Sequence, residues 1–496
     1  MTGLPTPIDT DTDAVKDSAI DASKAVLPGV PNLDTSEYAK AVEMLNDPLP
    51  GCVMVVGSAG TGKTTFIEYI RSPEGQSKLP KLQDMGIVAP TGIAAMQAGG
   101  STIHSFFMFP PETFDYESGC FAGGEELDLP GYKRSVLRRL QLLVIDEVSM
   151  VRADLMDAID QSLRLNRNVP NVPFGGVKLL LVGDIFQLQP VVTGGDREFL
   201  EERYKDSDGM FFFNSLGIRE LIAKDRMDFA ELTIPRRFIN LNKKAGDDNF
   251  YHILNRIKLG DASDLEKINH YLARPAHCDK LLEDNAVILT GKKVTADRLN
   301  SRKLDELPDE SQVSDGEAEG RCAKYDDNRL PVSRTLEFKK GAQIIFVRNS
   351  GDGTWYNGSL GTVVDYVFND AGVLRAVMVE LLDDKSVVKV MREVWEVMEY
   401  KFNKEKNAIE SEAAGSYTQF PFVLAWAMTI HRAQGKTLSR VVVDLGGGAF
   451  SSGQAYVAIS RCREAKDLGL KSPLKHRDII CHSEVVDFYN EYIGKQ

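Results

Sequence analysis

A glycine-rich segment that ends in Lys-Thr offers the most specific chemistry in this sequence. It reads Gly-Ser-Ala-Gly-Thr-Gly-Lys-Thr over residues 57–64, follows an apolar run and precedes a helical stretch. In that context backbone N–H groups and the helix N-terminus bind phosphate, the lysine reaches the outer phosphates, and the last threonine hydroxyl binds Mg²⁺. A chance glycine-rich turn is the alternative, and the strand, the spacing and the Lys-Thr pair together argue against it. The predicted nucleotide contacts are Gly57, Ser58, Ala59, Gly60, Thr61, Gly62, Lys63, Thr64 and Thr65.

Two adjacent carboxylates follow a second apolar run, Leu142–Ile145. Ligands of open α/β sheets lie at the carboxyl ends of the strands, so Asp146 is expected to hold Mg²⁺ and Glu147 to act as general base on an attacking water. Alone, such a pair is more often a surface turn, but the phosphate loop upstream favours the functional interpretation. A third run, Leu179–Val182, precedes Gln187, whose neutral amide could orient that water or sense the γ-phosphate.

Strands that alternate with helices must position these groups. The apolar runs that predict buried strands are Cys52–Val56, Ile87–Ala89, Leu142–Ile145, Leu179–Val182, Ala286–Leu289 and Val441–Leu445. Helical stretches separate most of them, and an amphipathic helix is predicted over Asp34–Asn46, so we predict an α/β fold with parallel sheets and helices on both faces. The stretch from about Leu336 to Glu399 is rich in Val and interrupted by turn signals, which predicts a small antiparallel barrel inserted in the second half.

Composition excludes several classes of protein. The chain has 496 residues, enough for two to four domains, and its six Cys form no CxxC pair, which argues against a disulfide framework or a zinc ribbon. A net charge of −13 counts against a histone-like coat on nucleic acid but not against a local groove, because the acid is concentrated at 1–34 and 305–319. No apolar run reaches the length of a membrane span and no signal peptide is evident, so we expect an intracellular protein with no membrane partner.

Further motifs, in a fixed order along the chain, resemble those of one helicase family. They are TGIAA at 91–95, GSTIHSF at 100–106, DEVSM at 146–150, GDIFQLQP at 183–190, AWAMTIHRAQG at 425–435 and YVAISR at 456–461. Together they resemble superfamily 1 helicases of the 5′-to-3′ branch, above all the petite-integration-frequency helicases with their RecD-like and phage Dda-like relatives. The resemblance runs from about Asn46 to Leu470, nearly the whole chain outside the N-terminal tail.

The resemblance implies two RecA-like P-loop domains with ATP and Mg²⁺ bound between them. The first domain would span 34–234 and the second 235–496, after a disordered acidic tail at 1–33. A small wedge-like insertion is expected in the first domain at 106–134, and an SH3-like β-barrel insertion in the second at about 336–418.

The resemblance also assigns residues of the second domain to the nucleotide. Arg237 matches an arginine that contacts the γ-phosphate. Arg461 matches the arginine finger, which would neutralise charge developing on the transferred phosphoryl group. Gly435 and Lys436 match the loop that couples the nucleotide to the strand.

Three positions depart from the family pattern. Phe238 stands where the family has Gln, and Arg432-Ala433 replaces Lys-Ser. Tyr38 lies in the helix where relatives have a Gln that reads adenine. Because a ring stacks on any purine whereas an amide distinguishes hydrogen-bonding edges, we expect loose nucleotide selectivity.

A translocating protein must hold one strand without reading its sequence, through hydroxyls, amides and backbone N–H groups on the phosphates. The strand contacts that the resemblance implies on the first domain are Pro90, Thr91, Thr102, His104 and Ser105. The candidates on the second domain are Asn349, Asn357, Thr429, His431 and Gln434. A satisfied structural role is the alternative for each histidine.

The segment between Phe106 and Arg134 is rich in Pro, Gly and aromatic residues. In relatives this place carries a wedge that splits the duplex, and rings here could stack on an opened base pair. The candidate rings are Phe106, Phe107, Phe109, Phe114 and Tyr116. A mobile surface loop is the alternative.

The combined interpretation is an ATP-dependent DNA helicase that translocates 5′ to 3′ on single-stranded DNA and unwinds duplex. We expect single-stranded and tailed duplex DNA as substrates, a monomeric protein, and single-strand-binding or replication proteins as further partners. Two alternatives remain: a translocase that strips proteins without separating strands, and a nucleic-acid-binding ATP switch or loading factor. Intact Glu147 and Arg461 argue against the switch, because a switch needs less complete hydrolytic machinery.

Overall fold

The computed structural model describes residues 36–58, 60–190, 192, 194–204, 207, 209–233, 247–263, 265–327, 329–462 and 464–494. The predicted acidic tail at 1–33 lies outside these residues, as do Ala59, Arg237 and Phe238.

The first half of the chain forms a parallel sheet between helices. Its elements are α1 Ser36–Leu45, β1 Cys52–Gly57, α2 Lys63–Arg71, α3 Pro73–Lys78, β2 Met85–Ala89, α4 Gly92–Gln97, β3 Ser101–Thr102, α5 Ile103–Phe107, β4 Phe114–Asp115, β5 Cys120–Phe121, α6 Gly131–Arg139, β6 Leu142–Ile145, α7 Ala153–Arg167, β7 Lys178–Gly183, α8 Gly194–Arg203, α9 Leu216–Ala223 and β8 Met227–Leu232. The sheet has six strands in the order β3-β2-β6-β7-β1-β8, all parallel. Strands β1, β6 and β7 are buried along their whole length, which explains why their sequences are apolar apart from Lys178 at the start of β7.

The second half contains a smaller parallel sheet and an antiparallel insertion. Its elements are α10 Asp247–Lys258, α11 Leu265–Leu272, α12 Pro275–Glu283, β9 Val287–Thr290, α13 Lys293–Asp305, β10 Gln312–Asp315, β11 Glu317–Gly320, β12 Thr335–Phe338, β13 Gln343–Phe346, β14 Leu360–Phe368, β15 Leu374–Leu381, β16 Val387–Met391, β17 Glu393–Asn403, β18 Ala408–Gln419, β19 Phe422–Leu424, β20 Ala427–Thr429, α14 Ile430–Ala433, β21 Val441–Asp444, α15 Gln454–Ile459, β22 Leu468–Leu470 and α16 Ser483–Tyr492. Strands β20-β9-β21-β22 are parallel, and β10 to β19 pair only with antiparallel neighbours. The predicted α/β fold with a parallel sheet in each half is confirmed.

The long hairpin β17–β18 of the insertion packs on the first half. The hydroxyl of Tyr400 accepts the N–H of Ile87 in β2 at 3.0 Å, and the Tyr400 ring lies 5.2 Å from that of Phe106. The N–H of Ile409 donates to Asp84 at 2.9 Å. Because the hairpin is anchored at these points, the antiparallel insertion bridges both halves.

The C-terminal helix α16 also returns to the first half. Phe488 stacks on Phe213 with ring centroids 4.4 Å apart, and the Tyr489 hydroxyl bonds Glu231 at 3.2 Å. The chain therefore passes from the first half to the second after β8 and comes back at its C-terminal end.

Two expectations from composition can be compared with the fold. Within the part of the chain that the structure describes, no helix has the length and apolarity needed to cross a bilayer. All six cysteines are free thiols, as the scattered spacing indicated.

Candidate functional site

The glycine-rich loop turns from β1 into α2 at one edge of the six-stranded sheet. Gly60 and Gly62 have φ of 83° and 95°, a region that favours glycine, so the turn depends on both. Lys63 begins α2, and its Nζ donates to the carbonyls of Gly57 at 2.8 Å and Ser58 at 3.1 Å. The ammonium thus lies over the loop, where phosphate oxygens would replace the two carbonyls as acceptors.

Strand β6 places Asp146 and Glu147 at the same edge of the sheet. Glu147 has φ of 50°, a left-handed conformation that costs a side-chain-bearing residue about 1–3 kcal/mol, and its N–H donates to Asp146 Oδ1 at 2.9 Å. Burial raises the pKa of both carboxyl groups, and the Lys63 ammonium acts against that shift. The hydrogen bond joins the two residues, and the effect of Lys63 on both pKa values places their carboxyl groups near the phosphate loop.

The donor set at this edge fits a magnesium ion that arrives with a nucleotide. Thr64, Asp146 and Glu147 line one groove, and hydroxyl and carboxylate oxygens are the hard ligands that Mg²⁺ prefers. Among the described residues, no group of three His, Cys, Asp or Glu side chains could hold a metal by itself. An ion with one or two protein ligands takes its remaining ligands from phosphates and water.

Gln187 lies in the loop after β7 and is buried. Its Nε2 donates to Asp184 Oδ2 at 3.0 Å, and the hydroxyl of Tyr456 in α15 donates to the same oxygen at 3.0 Å. Asp184 therefore joins the predicted water-orienting amide of the first half to a helix of the second half.

Arg461, the predicted arginine finger, has an exposed fraction of 0%. Its guanidinium donates to the carbonyls of Val457 at 2.7 Å and Ala433 at 3.2 Å and to Ser460 Oγ at 2.7 Å. Burial lowers its pKa, and the carboxylate of Glu147 is among the groups that oppose this. Contact with a γ-phosphate would require the guanidinium to leave these partners.

One groove of about 1,890 Å³ runs between the two halves and holds every predicted strand contact. From the first half come Pro90, Thr91, Thr102, His104 and Ser105, and from the second half Asn349, Asn357, Thr429, His431 and Gln434. Thr64, Thr65, Asp146, Glu147, Gly435 and Lys436 line the same groove. Residues predicted separately for the nucleotide and for the strand thus meet in one continuous space.

Three of the groove threonines cap short helices. The Oγ atoms of Thr91, Thr102 and Thr429 each accept a backbone N–H at 3.2 Å, at the start of α4, α5 and α14. The cap fixes each side chain, while the hydroxyl hydrogen can be donated to an acceptor such as a phosphate oxygen.

The two groove histidines are poor cations. Burial lowers the pKa of His431, and burial together with Arg152 and Arg329 lowers that of His104. Both rings therefore favour the neutral form, which offers one donor and one acceptor rather than a charge.

Lys436 and two asparagines form a chain along the groove. Lys436 Nζ donates to Asn357 Oδ1 at 2.6 Å, and the N–H of Asn357 donates to Asn349 Oδ1 at 2.8 Å. Burial, and then the charge of Arg432, lower the pKa of Lys436 to about 8. The coupling loop is thus bonded directly to residues predicted to hold the strand.

One hydrogen bond joins the predicted strand contacts to the predicted general base. Gln434 Nε2 donates to Glu147 Oε2 at 3.2 Å, from the residue that follows α14 in the second half to the second residue after β6 in the first. The bond spans the groove, so a movement of Gln434 would change the hydrogen bonding of the Glu147 carboxylate.

Basic side chains of the groove were missed by the sequence analysis. They are Arg71, Lys293, Arg321, Lys324, Arg329 and Arg348. Arg321 donates to Ser105 Oγ at 2.8 Å and to Glu399 at 2.6 Å. None of these residues belongs to a motif. The one signal in the sequence was that the acidic residues concentrate at 1–34 and 305–319, which leaves room for a locally basic groove.

The structure corrects the stacking role expected of Tyr38 and shows which candidate rings of the insertion pack it onto the domain. Tyr38 has an exposed fraction of 0%, packs on Phe66 and Tyr69 and donates to the carbonyl of Gly62 at 3.0 Å, so it cannot stack on a base. In the insertion, four rings proposed to face an opened base pair lie in the core: Phe106, Phe107, Phe109 and Phe114. Their burial anchors the insertion, and Met108 and Tyr132 are its exposed large apolar side chains, at 48% and 52%.

Comparison with known proteins gives concordant results. A model of the family described as PIF1-like helicase matches residues 34–209. The ATP-dependent DNA helicase Pif1 of Bdellovibrio bacteriovorus is 29% identical over 461 residues, which cover 92% of each chain. The crystal structure of Bacteroides sp Pif1 in complex with ADP-AlF4 is 30% identical, covers 94% of this chain and 98% of its own, and gives a TM-score of 0.78. Bacteroides Pif1 bound to ssDNA, at the same identity and coverage, gives 0.60.

The family model covers the phosphate loop, Asp146 and Glu147, and the matched relatives extend over nearly the whole chain. Sequence identity of 30% extends over 98% of a solved relative, with a TM-score of 0.78. The chain belongs to the PIF1-like helicase family.

Proposed function

We propose that the chain moves 5′ to 3′ along single-stranded DNA and separates the strands of a tailed duplex, using ATP with Mg²⁺. As a PIF1-like helicase it is an ATP-dependent DNA helicase. The proposal of movement along DNA rests on the shared groove, in which strand-binding candidates of both halves lie beside the phosphate loop, Asp146 and Glu147.

In the proposed reaction, the chain's own groups hold the phosphates and move one proton. Lys63 binds the outer phosphates, and Glu147 accepts a proton from the attacking water. Thr64 and Asp146 would hold a magnesium ion, which would neutralise phosphate charge. Gln187 positions that water. Arg461 would contact the γ-phosphate from the second half, and Arg237, which lies outside the described residues, is proposed for the same phosphate.

The grip on DNA relies on groups that do not read bases. Capped threonines, neutral histidines and asparagine amides offer hydrogen bonds to phosphate oxygens, and the basic side chains of the groove supply charge. Such contacts are the same for every sequence, as stepping along DNA requires.

The Gln434–Glu147 bond supports a physical route for stimulation of ATPase by DNA. While Gln434 donates to Glu147, that oxygen is engaged and is a weaker base toward water. A strand phosphate that competes for the Gln434 amide would release Glu147. The lower TM-score against the ssDNA complex, 0.60 compared with 0.78, supports a different arrangement of the halves when a strand is bound.

Strand separation is assigned to the exposed part of the insertion. Met108 lines the groove, and the Tyr132 hydroxyl lies 3.7 Å from its sulfur. This pair presents apolar surface at the groove edge, next to Thr102, His104 and Ser105, where a duplex junction would arrive.

A displacement assay on partial duplexes tests polarity and strand separation together. With ATP and Mg²⁺ present, duplexes with a 5′ single-stranded tail should be unwound, whereas 3′-tailed and blunt duplexes should not. Unwinding that required a 3′ tail would overturn the polarity. ATP turnover on single strands without displacement of any tailed duplex would favour the protein-stripping translocase instead.

A further inference from the structure

A second lysine reaches the phosphate loop from the other half of the molecule. Lys258 is the last residue of α10, and its Nζ lies 3.3 Å from the hydroxyl oxygen of Ser58 in the loop. Only 9% of Lys258 is exposed. The side chain therefore crosses the cleft between the halves and ends, buried, beside the segment expected to bind phosphate.

The surroundings of this ammonium contain rings rather than an anion. Its Nζ lies 4.7 Å from the ring centroid of Phe186 and 5.3 Å from that of Tyr489. Within the described residues, no carboxylate lies within ion-pair distance of Lys258, and the nearby carboxylate of Glu231 is bonded by the Tyr489 hydroxyl. A buried ammonium held only by two ring faces and a hydroxyl is incompletely compensated, because a buried charge needs a close countercharge.

A cavity of about 250 Å³ opens directly beside the ammonium. It is lined by Ser58 and Thr61 of the phosphate loop, by Asn255, Lys258 and Leu259 of the second half, by Glu231 and Leu232 at the end of β8, by Thr233 after it, and by Tyr489. Its volume is smaller than the 300–1,000 Å³ usual for a complete small-molecule site, so it fits only a part of a nucleotide. The lining side chains include the Lys258 cation, the hydroxyls of Ser58 and Thr61 and the Asn255 amide, together with the Glu231 carboxylate, which the Tyr489 hydroxyl bonds.

We propose that Lys258 is a phosphate-binding residue of the nucleotide site, contributed by the second half of the chain. The proposal rests on the proposed assignment of Gly57–Thr64 as the phosphate loop. Lys63 and Lys258 would then hold the nucleotide from opposite sides, one from each half. A phosphate anion would supply a countercharge within ion-pair distance of Lys258, which no described carboxylate provides.

This placement makes closure of the cleft part of nucleotide binding. Lys63 belongs to the loop and begins α2, whereas Lys258 contacts the loop from α10 of the other half, so this contact depends on how close the two halves lie. A purely structural role, in which Lys258 clamps Phe186 and Tyr489 together, would not depend on the phosphates of a ligand.

Nucleotide binding without DNA, measured with a fluorescent ADP analogue and by its competition with ADP and with adenosine, separates these roles. Lys258→Met keeps the apolar stem and removes the charge, Lys258→Arg keeps the charge, and Lys258→Gln is a second neutral variant. Lys224→Met, at a half-exposed lysine far from the loop, is the matched control. Lys63→Ala tests the phosphate loop itself.

Lys258→Met and Lys258→Gln should weaken ADP binding about tenfold or more, since hydrogen bonds to charged groups contribute at that level. Their affinity for adenosine should be unchanged, Lys258→Arg should bind ADP within a few-fold of the parent, and the melting temperature of the free protein should not fall. Equal ADP affinity in the neutral variants, or an equal loss for ADP and adenosine, would overturn the proposal. Full ADP affinity in Lys63→Ala would instead overturn the phosphate-loop assignment, whatever the Lys258 variants show.

Discussion

The nucleotide loop and the strand groove of this helicase are built in opposite ways. The loop comes from one continuous stretch of sequence, Gly57–Thr65, between strand β1 and helix α2. The groove is assembled from distant segments of both halves and of the antiparallel insertion. A continuous loop keeps its shape when the halves move, whereas a groove between halves changes shape. Movement along DNA should therefore be expressed in the groove, and the variants below test that division from the largest expected effect to the smallest.

Removing the proposed base should abolish turnover while leaving both binding regions intact. Glu147→Gln keeps the size of the side chain but cannot accept a proton, so DNA-stimulated ATPase should fall about 10³-fold, within the range for loss of a general base. Affinity for ATP and for single-stranded DNA should persist in binding titrations. Glu202→Gln, at an exposed position of α8, is the control, and near-normal turnover in Glu147→Gln would show that another group is the base.

Exposed apolar side chains of the insertion should matter for unwinding alone. The double variant Met108→Ala/Tyr132→Ala should unwind tailed duplex about tenfold more slowly, since stacking on a base contributes about 1–3 kcal/mol. DNA-stimulated ATPase should change by less than a factor of two. Leu165→Ala, an exposed apolar residue on α7, should affect neither rate. Unchanged unwinding in the double variant would place strand separation elsewhere.

The bond between the two regions should hold ATPase down when DNA is absent. Gln434→Ala frees Glu147 from one hydrogen bond, worth about 1 kcal/mol, so basal ATPase should rise about fivefold and stimulation by DNA should shrink. His431→Ala removes a groove residue with no contact to Glu147, and it should weaken DNA binding without raising basal turnover. If both variants had the parent's basal rate, the bond would not regulate the base.

The groove should lose affinity for DNA as pH rises through about 8. The Lys436 ammonium, whose pKa burial lowers to about 8, is charged below that pH and neutral above it. A positive charge near the phosphates is thus present at pH 7 and lost by pH 9, and single-strand affinity should fall roughly threefold, as for a modest ion pair. Fluorescence anisotropy across this range should show the inflection in the parent and lose it in Lys436→Met. The same inflection in Lys436→Met would assign the titration to another group.

Nucleotide selectivity should not depend on Tyr38. Tyr38→Phe keeps the buried ring and removes the bond to Gly62, so unfolding free energy should fall by about 1 kcal/mol. The ratio of GTP to ATP turnover should stay that of the parent protein. A changed ratio would mean that the hydroxyl shapes the loop enough to select the base.

The sequence predicted best those features that a single short segment determines, such as the bounds of one buried strand. The strand Leu142–Ile145 was placed to the residue, because four apolar residues between polar ones leave one choice of buried strand. The groove residues came from motif resemblance, and their convergence depends on contacts that no single segment contains. Burial of Tyr38 and of the insertion's phenylalanines could not be read from composition, since an aromatic side chain serves equally well in a core or on a surface.

The residues missed most completely are charged ones whose partners lie far away in the chain. Arg321 meets Ser105 and Glu399, and Lys258 meets Ser58 across the cleft. Neither has a neighbour in sequence that marks its role. Arg461 shows the converse, because a motif marked it for the phosphates while the fold surrounds it with backbone carbonyls.

The return of α16 to the first half limits how the molecule can flex. Two domains joined by a single peptide connection can rotate relative to each other in any direction. Domains joined at two separate places can rotate only about the line through both. The chain leaves the first half after Thr233 and regains it at Phe488, which stacks on Phe213. The hairpin β17–β18 adds a further attachment to the first half through Tyr400 and Ile409, so opening of the cleft must break or strain at least one of these contacts.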